Sequence, residues 1–361
     1  MVYPFIPALA RGLGVPISDL YTLVLLRNFA GFFSPLFGPM TDKYGRKPMM
    51  VGAMLLFSLG CLLVVVVPLY WALGVTLATI ALAKVIYDPA MQAYLGDVVP
   101  YRERGWAIAI TELGWAGGLL IGAPVAGYLI EQQGWLAPFF WLCLLGVGAA
   151  LLLWRYVPPS PRRVGPAPRW RDLWATLRRY PVIGAAAAYL LLAMGANETL
   201  FIIYGDWMEA SFGLSLTRLG LAAAVVGIAE VTGELGVATA VDRLGKRPVV
   251  IVSGGITVLL YLAIPWLSIN LTMALVTLFL LFLSFEITLV GSIPLLTELV
   301  PSARGLVMSV TIAAGALGRT IGAIIGPIIW QTAGFHLTGF VAAVIMGVAI
   351  VILALWVREG T

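Results

Sequence analysis

Ionisable side chains occur inside long apolar stretches of this sequence, where they are the residues best suited to bind charge or carry protons. A charged group at the centre of a membrane helix costs about 2.5–3.5 kcal/mol on insertion scales, so such residues are functional candidates by default. Three glutamates could bind and release protons: Glu112, Glu230 and Glu234. The candidates for lining a substrate cavity are Arg27, Lys84, Asp88, Asn197, Glu198, Glu286 and Arg319.

The spacing of these residues leaves several roles open. Lys84 and Asp88 are four residues apart, about one helical turn, and they either neutralise each other or contact a substrate. Glu230 and Glu234 share a helix face. One of the two could pair with Arg319 while the other, desolvated, carries a proton. Each of these glutamates could equally belong to a buried structural pair.

The composition indicates what surrounds these residues. The chain of 361 residues is 61% hydrophobic and 11% charged, whereas soluble domains are about one quarter charged. Its mean hydropathy is +1.00. Because a soluble fold could not hide so much apolar surface, most of the chain is expected to lie in lipid. The net charge of +5 resides in short loops, which favours membrane topology over a nucleic-acid partner. Cys61 and Cys143 lie in apolar runs and are expected to be buried thiols.

Helical spans are predicted wherever about 20 apolar residues follow one another. The segment from Val2 to Ala10 is about half that length, and we interpret it as the outer end of a first helix whose beginning is absent. With this stub counted as helix 1, the predicted helices 2 to 12 are 20–41, 48–70, 72–95, 105–130, 136–156, 181–204, 217–240, 248–268, 271–296, 305–331 and 335–357. The predicted fold class is therefore an all-α membrane protein with eleven full spans and a stub.

Lysine and arginine are distributed unevenly between alternate loops. One set of loops carries nearly all of them, whereas the opposite set carries only Arg11 and Arg218. This asymmetry predicts that the first set faces the cytoplasm and that the protein is a multi-pass protein of the cell membrane. Residues 158–180, rich in proline and arginine, are predicted to be a cytoplasmic linker. The linker would join an N-terminal bundle, residues 1–157, to a C-terminal bundle, residues 181–361.

A short charged motif occurs twice in the sequence. The segment "GPMTDKYGRKP" at 38–48 returns as "ATAVDRLGKRP" at 238–248, 200 positions later. The pairs in register include Asp42 with Asp242, Gly45 with Gly245, and Arg104 with Arg304. Two repeats of six helices that both start in the cytoplasm predict a parallel pseudo-two-fold axis along the membrane normal.

The first motif resembles the signature G-x-x-x-D-[KR]-x-G-[RK]-[RK] that the major facilitator superfamily carries between helices 2 and 3. The second motif, with Ala238 in place of the first glycine, lies where that family has its partial copy, between helices 8 and 9. The resemblance implies two six-helix bundles and transport by alternating access. In that family helices 1, 4, 7 and 10 line the central cavity and helices 2, 5, 8 and 11 flank it. Every candidate named in the first paragraph lies on one of these helices.

The resemblance also implies a latch on the cytoplasmic side. Gly38 would allow two helices to approach closely, and Asp42 would face the N-terminus of helix 11. Arg46 would reach Asp97 at the end of helix 4. The predicted latch residues are Gly38, Asp42, Gly45, Arg46, Asp97, Arg104, Asp242, Gly245 and Arg304. The alternative is an ordinary basic loop that only fixes topology.

Helix 5 contains a glycine- and proline-rich run, "GGLLIGAPVAGYL" at 117–129. It resembles in part the run G-x-x-x-G-P-x-x-G-G of proton-driven exporters in the same superfamily, which favours the bacterial efflux-type branch. This chain departs from the pattern at Ala123, which separates Gly122 from Pro124, and at Tyr128, where a glycine is expected.

Other function classes lack the residues that they need. His336 is the only histidine, so neither a histidine-based triad nor a histidine-rich metal site is available. No phosphate-binding loop with a Lys-Ser/Thr ending occurs, which argues against ATP-driven transport. We therefore predict a monomeric secondary transporter, without cofactor or metal, that exports a small lipophilic or cationic molecule in exchange for protons. The alternatives are uptake or exchange of an anionic nutrient through Arg27 and Arg319, and a non-transporting sensor or scaffold with the same fold.

Overall fold

The computed structural model describes residues 2–29, 40, 44–99, 111, 114, 117–159, 178–300 and 304–357. The side chains of residues 28–29, 96, 238–244, 304–306 and 309 lie outside this description. Within the described residues the chain is almost wholly helical and contains no β-strand. The predicted all-α fold class is confirmed.

The N-terminal repeat begins with a single 3-10 turn, Tyr3–Phe5, followed directly by α1 (Ile6–Leu13). The further helices are α2 (Ile17–Phe29), α3 (Arg46–Val66), α4 (Tyr70–Val98), α5 (Ala123–Gln133) and α6 (Ala137–Tyr156). One turn of π-helix, Gly118–Gly122, leads into α5. The π turn coincides with the glycine-rich run of helix 5, where Pro124 follows and disturbs the regular hydrogen bonding.

The C-terminal repeat begins with α7 (Pro181–Phe212), which a turn at residues 202–203 divides into Pro181–Phe201 and Tyr204–Phe212. The next helices are α8 (Leu216–Leu244), α9 (Lys246–Leu267) and α10 (Leu271–Glu298). The segment Arg304–Trp356 is interrupted at Gly334, whose φ of 76° and ψ of −171° are not helical. We name residues 304–333 α11 and residues 335–356 α12.

The helix α7 extends further than the sequence predicts. The prediction ends at residue 204 because polar residues follow, whereas the structure continues the helix to Phe212. The extension is held by Trp207, whose buried ring stacks on Phe335 with 4.1 Å between the ring centroids. In addition, Trp330 donates from Nε1 to Asp206 at 2.7 Å. Contacts with residues more than 120 positions away therefore set the end of this helix.

Eight stretches within the described residues are long and apolar enough to cross a membrane. They are Arg46–Val66, Tyr70–Leu95, Ala137–Tyr156, Pro181–Phe212, Leu216–Val237, Lys246–Leu267, Leu271–Glu298 and Val310–Trp356. The last stretch includes the break at Gly334. Residues 310–333 span about 36 Å at 1.5 Å per residue, so this part of α11 is long enough to cross alone.

The chain forms two compact units. The first unit consists of the described residues within Met1–Phe5, Ala116–Val125 and Pro168–Thr361. The second unit consists of those within Ile6–Trp115 and Ala126–Ala167. Fully buried side chains of the first unit include Tyr189 and Leu200, and those of the second unit include Leu73 and the thiol of Cys61.

Backbone features support the internal repeat. In the second unit α3 packs against α4 and α6, and in the first unit α9 packs in the same way against α10 and α12. The described residues with positive φ are all glycines and fall into three pairs 199 or 200 positions apart: Gly14 with Gly213, Gly45 with Gly245, and Gly134 with Gly334. Each pair lies at the same junction between helices of its repeat. The two halves of the sequence thus turn the chain at equivalent points.

Candidate functional site

Two helices of the first unit, α7 and α11, pack with their backbones almost in contact. A methyl group at Gly326 of α11 would clash with the carbonyl oxygen of Thr199 on α7. A methyl group at Gly322 would lie 2.8 Å from the Cβ of Glu198. Helices in lipid associate through such close contacts at glycines. The lipid is as apolar as the side chains, so the hydrophobic effect does not drive the helices together. The contact brings Arg319 of α11 beside Glu198 of α7.

Glu198 is fully buried, with none of its surface exposed. Its Oε2 accepts a hydrogen bond from Nη1 of Arg319 at 3.4 Å, and its Oε1 accepts one from the hydroxyl of Tyr3. Each carboxylate oxygen therefore has a donor, as a buried carboxylate requires. The side chain of Arg319 keeps 36% of its surface exposed, so it lies at the border of the buried region.

The sequence left open a pairing of Arg319 with one of the two glutamates of helix 8. In the structure the hydrogen bond of Arg319 goes to Glu198 instead. The reason is the close approach of α7 and α11 at their glycines, which no local pattern around Glu230 or Glu234 indicates.

Tyr3 is a site residue that the sequence analysis missed. Its main-chain carbonyl would lie 2.5 Å from a methyl group at Gly205, so the N-terminal turn rests directly on α7. Its ring meets Phe201 edge to face, with 5.1 Å between the centroids. The contact with Glu198 joins residues 195 positions apart. A single aromatic hydroxyl in an otherwise apolar stub was the only available signal.

Glu230 projects from α8 and has a buried oxygen, Oε2, with no hydrogen-bond partner among the described residues. The carboxyl group lies within electrostatic range of Arg319 and of Glu234. Its helix is fixed by a close contact between Gly227 and the main chain of Leu120, in the π turn. One guanidinium group thus acts on two carboxyl groups, Glu198 on α7 and Glu230 on α8.

Two other candidates of the first unit adjoin this group. A methyl group at Gly233 of α8 would lie 2.8 Å from Cβ of Glu286, so Glu286 of α10 packs against the helix that carries Glu230. Asn197 is buried, with 5% of its surface exposed, and precedes Glu198 on α7. The structure therefore gathers candidates from four helices, α7, α8, α10 and α11, in one unit.

The remaining cavity candidates belong to the second unit. Lys84 and Asp88 form an ion pair along α4, with side chains that are 49% and 39% exposed. This is the mutual neutralisation that the spacing allowed, and a role in substrate binding stays a prediction. Arg27 is half-buried near the end of α2.

The repeated motif leads into an ion pair in each unit. Arg46 of α3 donates from Nε to Oδ2 of Asp97 at 3.3 Å, which is the contact that the family resemblance implies. In the first unit Lys246 of α9 donates from Nζ to Oε1 of Glu298 at 2.7 Å. The latch function of these pairs stays a prediction. Outside the described residues lie Gly38, Asp42, Arg104 and Glu112, and the side chains of Asp242 and Arg304.

The chemistry available in this arrangement is charge binding and proton transfer. Within the described part of the chain, no cluster of histidine, cysteine and carboxylate side chains could hold a metal ion.

A sequence model of the Major Facilitator Superfamily matches residues 1–204 and 186–361, which together span the chain. The chain belongs to the major facilitator superfamily. This superfamily member is a multi-pass membrane transporter of small molecules and not an enzyme.

Relatives of this superfamily member include an uncharacterized transporter and two proteins named for multidrug resistance. It is 25% identical over 320 residues to the "Uncharacterized MFS-type transporter YceJ" of Bacillus subtilis, a match that covers 86% of this chain and 80% of the relative. It is 24% identical over 291 residues to the "Multi-drug resistance efflux pump PmrA" of Streptococcus pneumoniae, with 73% and 68% covered. It is 22% identical over 285 residues to the "Multidrug resistance protein MdtG" of Klebsiella pneumoniae, with 74% and 68% covered.

Solved structures of the superfamily have the same fold. A D-xylose-proton symporter superposes with a TM-score of 0.79 at 17% identity, covering 99% of this chain and 93% of the symporter. The human organic anion transporter MFSD10 (TETRAN) superposes with a TM-score of 0.72 at 18% identity, covering 96% and 88%. At these identities the likeness shows the fold alone.

Proposed function

We propose that this superfamily member is a proton-coupled exporter of a small cationic or lipophilic compound, working by alternating access. The observation that carries the proposal is Glu230, whose buried Oε2 has no hydrogen-bond partner among the described residues. Its carboxyl group lies within electrostatic range of Arg319, which is already hydrogen-bonded to another carboxylate. A carboxyl group in such a place is neutral when it holds a proton and charged when it releases it. Its proton state therefore changes the free energy of exposing the site to either side of the membrane.

The charges around Arg319 also favour a cationic substrate. With Glu198 and Glu230 both ionised, the three groups carry one net negative charge in a poorly solvated region. A proton or a monovalent cation on Glu230 would neutralise that charge. Because both would compete for the same carboxylate, binding of one would displace the other, which is the requirement for exchange. Glu112, outside the described residues, is the second candidate for the coupling carboxylate.

The names of two relatives support export as the direction. PmrA is a multi-drug resistance efflux pump and MdtG a multidrug resistance protein, and each covers nearly three quarters of this chain. The partial match of residues 117–129 to the glycine- and proline-rich run of proton-driven exporters points the same way.

Transport in proteoliposomes with an imposed pH gradient tests this proposal. Vesicles that are acidic inside receive a lipophilic cation, a sugar or an organic anion on the outside. We expect the cation to accumulate inside as protons leave, and a protonophore to abolish the accumulation. Vesicles without protein are the control for partitioning into lipid. Cation flux that ignores the pH gradient would contradict proton coupling.

Arg319 supports a second candidate function, uptake or exchange of an anion. Its side chain remains 36% exposed while it contacts Glu198, which leaves surface for an anionic group. Arg319 would bind the carboxylate or phosphate of such an anion, and Arg27, in the second unit, is the other arginine that this candidate function invokes. In the same vesicles this candidate predicts flux of the organic anion and none of the cation. The absence of any flux would favour the sensor or scaffold alternative.

We propose that the protein is a monomer in the cell membrane and that residues 158–180 form a cytoplasmic linker between bundles 1–157 and 181–361. The lysine and arginine content of alternate loops supports this orientation. A cysteine at position 165, as Gly165→Cys, should react with a membrane-impermeant thiol reagent only from the inside. Labelling from the outside would contradict the proposed orientation. The mass of a dimer in detergent would contradict the proposed monomer.

A further inference from the structure

The hydroxyl of Tyr3 contacts the same carboxyl group that holds Arg319. Tyr3 donates to Oε1 of Glu198 while Arg319 donates to Oε2, so the two donors hold the carboxylate from both sides. Tyr3 is itself 5% exposed and rests on α7 through the main-chain contact with Gly205. The N-terminal turn therefore packs on the same helix that carries Glu198, and this packing places the hydroxyl of Tyr3 at the carboxylate.

Glu198 and Glu230 share the positive charge of Arg319. Glu198 has the direct hydrogen bond, and Glu230 lies within electrostatic range, with no hydrogen-bond partner for its Oε2 in the part of the chain that the structure describes. If the carboxylate of Glu198 moved away from Arg319, the guanidinium group could approach Glu230, because Glu230 would then supply the negative charge that pairs with it. The position of Glu198 thus decides how much of the arginine's charge acts on Glu230.

We propose that Tyr3 is a positioning residue of the coupling site: its hydroxyl holds Glu198 against Arg319 and thereby keeps the guanidinium group from Glu230. The inference rests on the proposed function, in which Glu230 carries the proton. Other titratable or charged groups that face this region are Tyr204 of α7, Glu234 of α8 and Glu286 of α10. In this proposal Tyr3 acts on Glu230 through Glu198 and Arg319.

Infrared titration of the reconstituted protein tests this inference without a known substrate. The C=O stretching band of a protonated carboxyl group is followed against pH in the wild type and in Glu230→Gln, which identifies the part of the band that belongs to Glu230. Tyr3→Phe keeps the ring against Phe201 and removes only the hydroxyl. Tyr204→Phe is the matched control, because it removes a buried hydroxyl without a partner among the described residues.

We expect the Glu230 band to titrate at lower pH in both site variants, since a closer guanidinium group favours the ionised carboxylate. The midpoint should fall by about one to three pH units in Glu198→Gln, the scale for an opposite charge a few ångströms away, and by about one unit in Tyr3→Phe. Tyr204→Phe should keep the wild-type midpoint.

An unchanged midpoint in Tyr3→Phe, with the band lost in Glu230→Gln, would overturn the positioning role and leave Glu230 as the proton carrier. An equal shift in Tyr3→Phe and Tyr204→Phe would also overturn it. A band that persists in Glu230→Gln would overturn the coupling role of Glu230, and with it the inference.

Discussion

Each repeat carries an ion pair after its charged motif, and the two pairs differ in burial. In the second unit Arg46 and Asp97 have side chains that are only 7% and 5% exposed. In the first unit Lys246 and Glu298 occupy nearly the same positions of the repeat, and their side chains are 24% and 51% exposed. Each cation is the first residue of its helix and follows a glycine with positive φ.

The difference shows that the two copies share the turn of the backbone, but not the burial of the ion pair. A buried charge that loses its partner costs about 3–5 kcal/mol, whereas an exposed ion pair contributes about 0–1 kcal/mol. Only the pair in the second unit can therefore make or break a contact of large free energy. We expect the latch that the family resemblance implies to depend on Arg46 and Asp97.

Among the variants of the two ion pairs, the one that removes the charge of Asp97 should lose the most stability and transport. In Asp97→Asn the buried guanidinium group of Arg46 loses the negative charge of Asp97, which should lower the free energy of unfolding by up to about 3–5 kcal/mol. Thermal denaturation in detergent measures this loss, and transport in proteoliposomes should also fall. The double variant Arg46→Met, Asp97→Leu is the control, because it removes both charges.

The double variant should regain most of the stability while transport stays low if the pair is a latch. If transport recovered together with stability, the pair would be a structural contact and not a latch. Wild-type stability of Asp97→Asn would contradict the burial argument itself.

Substitution of the two motif glycines should have an intermediate and equal effect. Gly45 has φ 96° and ψ 153°, and Gly245 has φ 87° and ψ 137°, a region that only glycine adopts readily. Gly45→Ala and Gly245→Ala should each cost about 1–3 kcal/mol of stability through backbone strain. A large difference between the two denaturation midpoints would mean that the asymmetry extends to the backbone.

Breaking the exposed pair should have the smallest effect. Lys246→Gln and Glu298→Gln should each change the free energy of unfolding by less than about 1 kcal/mol. Initial transport rates should remain within about fivefold of the wild type, which is the change in rate that about 1 kcal/mol corresponds to. A loss as large as that of Asp97→Asn would show that the two pairs are equivalent despite their exposure.

The sequence was sufficient to place most helices, because long apolar runs end at charged or glycine-containing loops. The predicted span 136–156 differs from the observed helix α6, Ala137–Tyr156, by one residue, and α10 differs from its prediction by two at the C-terminal end. The extension of α7 beyond residue 204 was not predictable in this way. It depends on Trp207 meeting Phe335, a contact between distant parts of the chain.

The candidate site was predictable only as a set of residues. Apolar surroundings identified Glu198, Glu230 and Arg319, since each is an ionisable group within a hydrophobic run. Their pairing depends on glycine contacts between α7 and α11, which join residues 121 positions apart at Arg319 and Glu198. Tyr3 escaped notice because a tyrosine in an apolar segment has many ordinary roles.

The most direct test of the account compares two kinds of flux in Glu230→Gln. Exchange of labelled for unlabelled substrate needs only alternating access, whereas accumulation driven by a pH gradient needs a group that takes up and releases the proton. We predict that Glu230→Gln retains exchange and loses accumulation, while Glu131→Gln, which removes an exposed carboxylate of α5, retains both. Accumulation at the wild-type level in Glu230→Gln would contradict proton coupling at this residue.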